Sequence, residues 1–148
     1  MNNRKPTLEM TKLMTPDMVN FSGKVHGGQM LKLMDETAYA CAARYAGCYV
    51  VTLSVNEVLF KEAINVGELV TLYASVNYTG RTSMEIGIKV MAEDLKSNTR
   101  RHSISCYFTM VAMCDKGNPV EVPQLLAETE EQKRRWNEAL ARKKVSTG

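Results

Sequence analysis

The sequence lacks any apolar run that approaches the ~20 residues a helix needs to cross a bilayer. This absence argues against a membrane-spanning helix. The first residues, M-N-N-R-K-P-T-L-E-M-T-K, also lack the apolar core of a secretory signal peptide. We therefore expect a cytoplasmic protein that does not work in a membrane.

Metal-ligand patterns are scarce as well. The two histidines, His26 and His102, are far apart, and none of the four cysteines belongs to a C-x-x-C pair. We therefore expect no metal site, and reduced, mostly buried thiols at the cysteine positions. These positions are Cys41, Cys48, Cys106 and Cys114.

The chain has no strong excess of one charge. Its formal net charge of +3 is too small to indicate nucleic-acid binding, although it suits a small anionic ligand. The length of 148 residues, with 45% apolar and 24% charged residues, is ordinary for one globular domain with an adequate core.

A long apolar helix is predicted near the middle of the first half. From Met30 to Ala46 twelve of seventeen residues are apolar, none is Pro or Gly, and Gly47 is well placed to end the helix. A helix apolar on nearly all sides is expected to be buried. It nevertheless carries Asp35, and a carboxylate among apolar neighbours costs free energy unless a partner compensates it.

Two interpretations of this helix remain open. Asp35 could form a surface ion pair with Lys32, three residues earlier, and the Gly27-Gly28 pair could be only a tight helix entry. Alternatively, exposed N–H groups at the helix start could hold a carbonyl or an anion, and glycines would let a substrate approach the main chain. An acid two turns along would then act on that substrate.

Alternating and β-rich runs predict several strands around this helix. A short strand is expected at 18–20, and long strands at 49–60, 69–79, 83–93 and 102–114, with a Gly80-Arg81-Thr82 turn making a hairpin of the third and fourth. Residues 1–14 are expected as a loose N-terminal arm, residues 15–127 as the domain, and residues 128–148 as a helix and tail. A sheet that curls around the apolar helix reconciles these elements.

The C-terminal helix, predicted over 128–144, has acids early and bases late, as the helix dipole favours. We expect a solvated helix. The alternative is that its bases reach a phosphate.

Three segments together resemble the hotdog-fold acyl-CoA thioesterases. They are G-K-V-H-G-G-Q-M-L-K-L-M-D-E-T-A, then G-R-T-S-M-E-I-G-I-K-V, then V-A-M-C-D-K-G-N-P-V-E-V-P-Q-L. The sequence is most similar to the subgroup of the brain-type acyl-CoA hydrolase and its single-domain bacterial relatives, from about Thr15 to about Arg135. This resemblance implies an α+β hotdog fold, in which a curved antiparallel sheet wraps one long central helix, with an additional C-terminal helix.

The resemblance also implies an activity and an assembly. The expected reaction is hydrolysis of acyl-CoA to free CoA and a carboxylic acid, without a cofactor. Hotdog dimers join their sheets into one continuous sheet, commonly associate into trimers of dimers, and hold two sites at each dimer interface. We therefore expect a homo-oligomer of this kind.

Residue roles follow from the same resemblance. Asp35 occupies the position of the general base or nucleophile, and Asn20 that of an asparagine supplied by the partner subunit. Gly27 and Gly28 occupy the place where the backbone polarises the thioester carbonyl, and His26 is expected to have at most a minor orienting role.

The CoA moiety is expected near Arg81, Thr82 and Ser83. The sequence departs from the family pattern in the loop after F-K, where Ala63 and Ile64 stand in place of a frequent proline.

Two other functions of hotdog proteins match the sequence less well. A non-catalytic acyl-CoA-binding hotdog protein, such as a sensor, usually carries a DNA-binding segment, and fourteen N-terminal residues are too few for a helix-turn-helix. A hotdog hydratase needs a histidine acting with the aspartate, and His26, nine residues before Asp35, does not match that arrangement.

Overall fold

A computed structural model describes residues 4–113 and 115–147. The strands are β1 Thr7–Leu13, β2 Tyr49–Phe60, β3 Leu69–Thr79, β4 Ser83–Asp94 and β5 Thr99–Met113. The helices are α1 Gly27–Ala46 and α2 Glu130–Thr147, and a 3-10 turn spans Pro16–Met18. All five strands form one antiparallel sheet in the order β1-β3-β4-β5-β2.

The core lies between α1 and one face of this sheet. Every second side chain over much of β3, β4 and β5 is buried, as the alternation in the sequence of β4 predicts. Met30, Met34 and Tyr45 of α1 pack against that face and are essentially inaccessible to solvent. The predicted sheet on a central helix and the β3–β4 hairpin are therefore confirmed. In β2 the alternation predicts a buried face that is not observed, because Leu53 and Val55 of this edge strand are exposed.

Helix α1 is longer and more one-sided than the sequence predicted. It begins at Gly27, so the glycine pair lies inside its first turn, and it ends at Gly47, whose φ of 75° is left-handed. Leu31, Asp35 and Tyr39 are exposed because the sheet covers only the opposite face. The expectation of burial on nearly all sides is therefore wrong for the single chain.

The N-terminal segment also differs from its prediction. Residues 7–13 are not a loose arm, because they form the edge strand β1, paired in register with β3 from Thr7 opposite Ser75 to Leu13 opposite Leu69. Only Leu8 of β1 is half buried, and the sequence alternates only over Leu8 and Met10, which is too short a run to reveal the strand. The predicted strand at 18–20 is replaced by the 3-10 turn and a single bridge between Val19 and Val25.

Strand β5 starts at Thr99, three residues earlier than predicted, and Cys114, at its predicted end, lies outside the described residues. The same holds for residues 1–3 of the predicted arm and for residue 148.

Helix α2 is not simply solvated. Its Trp136 ring lies 4.4 Å from the ring of Tyr78, and the Arg142 guanidinium donates two hydrogen bonds of 2.8 Å to the Glu85 carboxylate. The helix therefore docks on the outer face of the sheet, opposite α1.

Candidate active site

The start of α1 presents backbone donors that the chain leaves unused. His26 occupies the N-cap position without a side-chain capping bond, and the first turn contains no acid. The first intrahelical bond runs from the Met30 N–H to the His26 carbonyl, 3.2 Å away. In the described part of the chain, no hydrogen bond is recorded for the N–H groups of Gly27, Gly28 and Gln29. These N–H groups, at the positive end of the helix dipole, can donate hydrogen bonds to a carbonyl oxygen or an anion.

Packing within the chain does not require glycine at either position. A Cβ at Gly28 would meet nothing within 4 Å, and one at Gly27 would make an ordinary contact, 3.6 Å, with the Phe60 ring. Because neither site is crowded by the chain itself, the missing side chains leave room for something outside it.

Asp35 lies two turns after Gly28 on the same exposed side of α1. At 1.5 Å per residue the two positions are about 10 Å apart along the axis. The Thr52 hydroxyl donates a 2.8 Å hydrogen bond to Oδ1 of Asp35. Among the described residues no ion pair joins Asp35 to Lys32, so the structure does not show the contact that the surface-pair interpretation requires. The carboxylate is held on one oxygen and open on the other.

Thr52 was not recognised in the sequence. It belongs to the edge strand β2, two residues after the buried Val50 and paired with the buried Met110, so its side chain lies on the α1 face of the sheet. Its hydroxyl lies 3.4 Å from the Met110 sulfur as well as contacting Asp35. A polar residue in an alternating strand gives no sequence signal of a contact with a helix seventeen residues earlier.

Asn20 organises the loop before α1. Its side-chain oxygen accepts hydrogen bonds from the Ser22 N–H (2.9 Å), the Ser22 hydroxyl (2.7 Å) and the Lys24 N–H (3.1 Å). Its amide nitrogen has no hydrogen bond recorded within residues 4–113 and 115–147. The structure does not bring Asn20 into contact with Asp35 of the same chain.

The β3–β4 turn with Arg81 and Thr82, followed by Ser83 at the start of β4, lies at the same end of the sheet as Thr52. Thr79 pairs with Met84, Met84 with Met110, and Met110 with Thr52, in one row across the strands. Two strand spacings, about 10 Å, separate Met84 from Thr52. The Arg81 side chain is 78% exposed and lies 3.9 Å from Glu121, a weak surface contact.

Exposed apolar side chains line strand β2 and the side of α1 that carries Asp35. Strand β2 is an edge of the sheet, and its Leu53 and Leu59 are 69% and 56% exposed. The neighbouring side of α1 adds Leu31 and Tyr39, and the Tyr39 ring meets Tyr49 edge-on. A long exposed apolar edge of this kind is typical of an association surface.

Two buried thiols and the possible metal ligands offer no second reactive centre in the part of the chain that the structure describes. Burial raises the pKa of the Cys41 and Cys106 thiols to about 12, so neither is a thiolate at neutral pH. Within the described ranges, no group of three or more His, Cys, Asp or Glu side chains could hold a metal ion. No described helix is both long and apolar enough to cross a membrane.

Known proteins share this architecture. Residues 22–98 match the model of the thioesterase superfamily. The chain is 47% identical over 140 residues to protein VdlD of Helicobacter pylori, covering 95% of this chain and 80% of VdlD. It is 37% identical over 132 residues to the cytosolic acyl coenzyme A thioester hydrolase of Rattus norvegicus, covering 88% of this chain but only 35% of that longer protein.

Two solved structures superpose closely. An apo-hexameric acyl-CoA thioesterase matches with a TM-score of 0.90 at 38% identity, over 93% of this chain and 88% of that one. The acyl-CoA hydrolase of Staphylococcus aureus, solved with butyryl coenzyme A, coenzyme A and coenzyme A disulfide, matches with a TM-score of 0.88 at 28% identity, over 95% and 86%. That hydrolase was also solved with one Asn, one Asp or one Thr replaced by Ala. Its Asn lies 15 positions before the Asp, and its Thr 17 positions after it.

The five-stranded sheet on a central helix, with a further C-terminal helix, is therefore the predicted hotdog fold. The chain belongs to the thioesterase superfamily, and the predicted class of enzyme, a thioester hydrolase, is confirmed.

Proposed function

We propose that this protein hydrolyses acyl-CoA to free CoA and a carboxylic acid, in the cytoplasm, at a site formed between two copies of the chain. One observation carries the proposal. The uncapped start of α1 and the Asp35 carboxylate lie on the same exposed side of the helix. Thioester hydrolysis requires a polarised carbonyl, which the helix start supplies, and an activated nucleophile, which Asp35 supplies.

The chemistry follows from these two groups. The thioester carbonyl oxygen accepts hydrogen bonds from the Gly27 and Gly28 N–H groups, which strengthen as negative charge develops on that oxygen. Asp35 either removes a proton from an attacking water or attacks the carbonyl carbon itself. In the second case water then hydrolyses the mixed anhydride. In both, the C–S bond breaks, the CoA sulfur leaves with the electron pair, and it is protonated.

Thr52 and Asn20 complete the site. The Thr52 hydroxyl orients one oxygen of Asp35 and leaves the other free to act. Asn20 of the partner subunit places the water or substrate. Its side-chain oxygen is committed to its own turn, and its amide N–H₂ group supplies the contact. Asn20, Asp35 and Thr52 have the same spacing, 15 and 17 positions, as the three residues replaced in the S. aureus hydrolase.

The CoA moiety extends towards the β3–β4 turn. Arg81 there meets its phosphates, because a guanidinium forms paired hydrogen bonds to phosphate oxygens. Thr82 and Ser83 add polar contacts, and His26 beside the helix start has a minor orienting role.

Assembly follows from the uncovered surface. Pairing of two β2 edges would continue the sheet across a dimer and cover the apolar side chains beside Asp35. Three such dimers would give a hexamer, the state in which a structural neighbour was solved.

A thiol-release assay tests the proposal. The protein is incubated with short, medium and long acyl-CoAs, and free thiol is followed with a chromogenic reagent against a substrate-free blank that corrects for the protein's own cysteines. We expect saturable thiol release that is lost in Asp35→Asn. Acyl-CoA binding without thiol release would instead indicate a non-catalytic binding protein, and conversion of the acyl chain with the thioester intact would indicate a hydratase.

A further inference from the structure

Arg101 of β5 is the centre of an ion cluster beneath the loop between β2 and β3. Its guanidinium donates to both oxygens of Glu68, at 2.5 and 2.7 Å, to the Ala63 carbonyl at 2.7 Å, and lies 2.9 Å from Glu62. The Glu68 side chain is only 6% exposed, and one of its oxygens also accepts the Asn65 N–H at 2.6 Å. We call Arg101, Glu62, Glu68 and the Ala63 carbonyl the Arg101 brace.

The braced loop in turn holds the segment that leads into α1. The Ile64 carbonyl accepts the Val25 N–H at 2.9 Å, and the Lys24 ammonium reaches the Asn65 side chain at 2.6 Å. Ile64 and Val25 are both buried, and Lys24 and Asn65 form a backbone bridge. Gly27 follows Val25 by two residues. The segment that carries the first helical N–H groups is therefore held by a loop that Arg101 contacts at three points.

We infer that Arg101, through Glu68 and the 62–68 loop, is a positioning residue for the first turn of α1 and so for stabilisation of the transition state. This inference rests on the proposed function. Arg101 makes no contact with substrate in this scheme. Arg101 affects the rate of the chemical step because donors aimed at a developing oxyanion must be placed within a fraction of an ångström. A displacement of about 1 Å can lower that rate on the order of 100-fold.

Loss of this positioning should have a specific kinetic signature. Ground-state binding of CoA depends on other groups, including Arg81, whereas oxyanion stabilisation acts mainly in the transition state. Weakening the brace should therefore lower kcat and leave the inhibition constant of free CoA nearly unchanged. A purely structural ion pair would lower the melting temperature while leaving kcat of the folded enzyme as it was.

The test uses Arg101→Lys, which keeps the charge but loses the planar fork that contacts three groups at once. The control is Arg134→Lys on α2, whose guanidinium also pairs with two acids, Glu131 and Glu138, far along the chain from the helix start. Both are assayed well below their measured melting temperatures. We expect kcat to fall about 10-fold to 100-fold in Arg101→Lys and less than about 2-fold in the control, with CoA inhibition within about 3-fold of the parent in both.

Glu68→Gln provides a second arm if Arg101→Lys does not fold, because it keeps the shape and an acceptor for the Asn65 N–H while removing the charge. It should lower kcat in the same direction. A folded variant of either residue with kcat within 2-fold of the parent overturns the inference, as does an equal loss of kcat and CoA binding. Failure of the proposed function is separate, since it would appear as no thiol release by the parent or as an active Asp35→Asn.

Discussion

Replacement of Asp35 by Asn isolates the role of its charge. The Asn side chain has nearly the same shape, and its carbonyl oxygen can still accept the 2.8 Å hydrogen bond from Thr52. The amide can act neither as a general base nor as a nucleophile. Because Asp35 is exposed and makes no ion pair with Lys32, we expect the free energy of unfolding to change by less than about 0.5 kcal/mol.

The expected effect on turnover is much larger. A positioned general base contributes typically about 100-fold to 10,000-fold, which corresponds to roughly 2.7–5.5 kcal/mol of activation free energy. We therefore expect kcat to fall by at least about 100-fold, to nearly no turnover, with the melting temperature within about 2 °C of the parent. Thiol release from a saturating acyl-CoA, measured beside a thermal melt, gives both quantities.

Two matched variants sharpen this experiment. Glu36→Gln removes the neighbouring exposed carboxylate of the same helix and should leave kcat within about 2-fold of the parent. Thr52→Val removes the hydroxyl that orients Asp35 but keeps the carboxylate, so kcat should fall about 10-fold, less than in Asp35→Asn. A folded Asp35→Asn enzyme that turns over within a few-fold of the parent would refute the catalytic role of this carboxylate.

Three further predictions concern the interface, the CoA contact and stability. Co-expressed Asn20→Ala and Asp35→Ala chains should recover activity at about one quarter of all sites, since half of randomly paired dimers are mixed and each mixed dimer has one intact site. The same recovery is expected when Asn20→Asp replaces Asn20→Ala in this experiment, because Asp keeps the oxygen that holds the turn but lacks the amide donor. Tagged mixed dimers no more active than the weaker single mutant would contradict a shared site. Arg81→Ala should raise KM for acyl-CoA more than it lowers kcat, most strongly at low salt, and an unchanged KM at low ionic strength would leave Arg81 as a solvated turn residue. Hydrogen bonds from Arg101 hold the pKa of Glu68 below its ordinary value, so the ionised Glu68 stabilises the fold above that value and this stabilisation is lost as pH falls. The melting temperature of the parent should therefore drop between about pH 5 and pH 3 more than that of Glu68→Gln, and parallel curves of melting temperature against pH for the two proteins would argue against this role of Glu68.

The uncovered side of α1 connects the site to assembly. Leu31 and Tyr39 flank Asp35 on that side, and strand β2 next to them ends the sheet with an unpaired edge. The apolar composition of α1 predicts burial, but a single chain covers only one side of this helix. A second copy of the chain would bury the other side. The difference between the predicted and observed burial of α1 therefore points to the same interface as the proposed shared site.

The sequence alone determined the elements whose signals are local. Helix α1 was predictable because residues 30–46 contain no Gly or Pro and Gly47 permits a left-handed end. The β3–β4 hairpin was predictable because apolar and polar residues alternate on both sides of the Gly80-Arg81-Thr82 turn. The glycine pair and Asp35 could be marked as candidates because each conflicts with the apolar helix around it.

Tertiary structure decided what depends on partners distant in the chain. Strand β1 has little alternation of its own and exists because β3 offers an unpaired edge. Thr52 contacts Asp35 because the pairing of β2 with β5 places its side chain on the α1 face of the sheet. Arg101 contacts the loop that leads towards that helix from a strand more than seventy residues later in the chain. Local propensity cannot encode such contacts, because their free energy arises only when the sheet has closed over the helix.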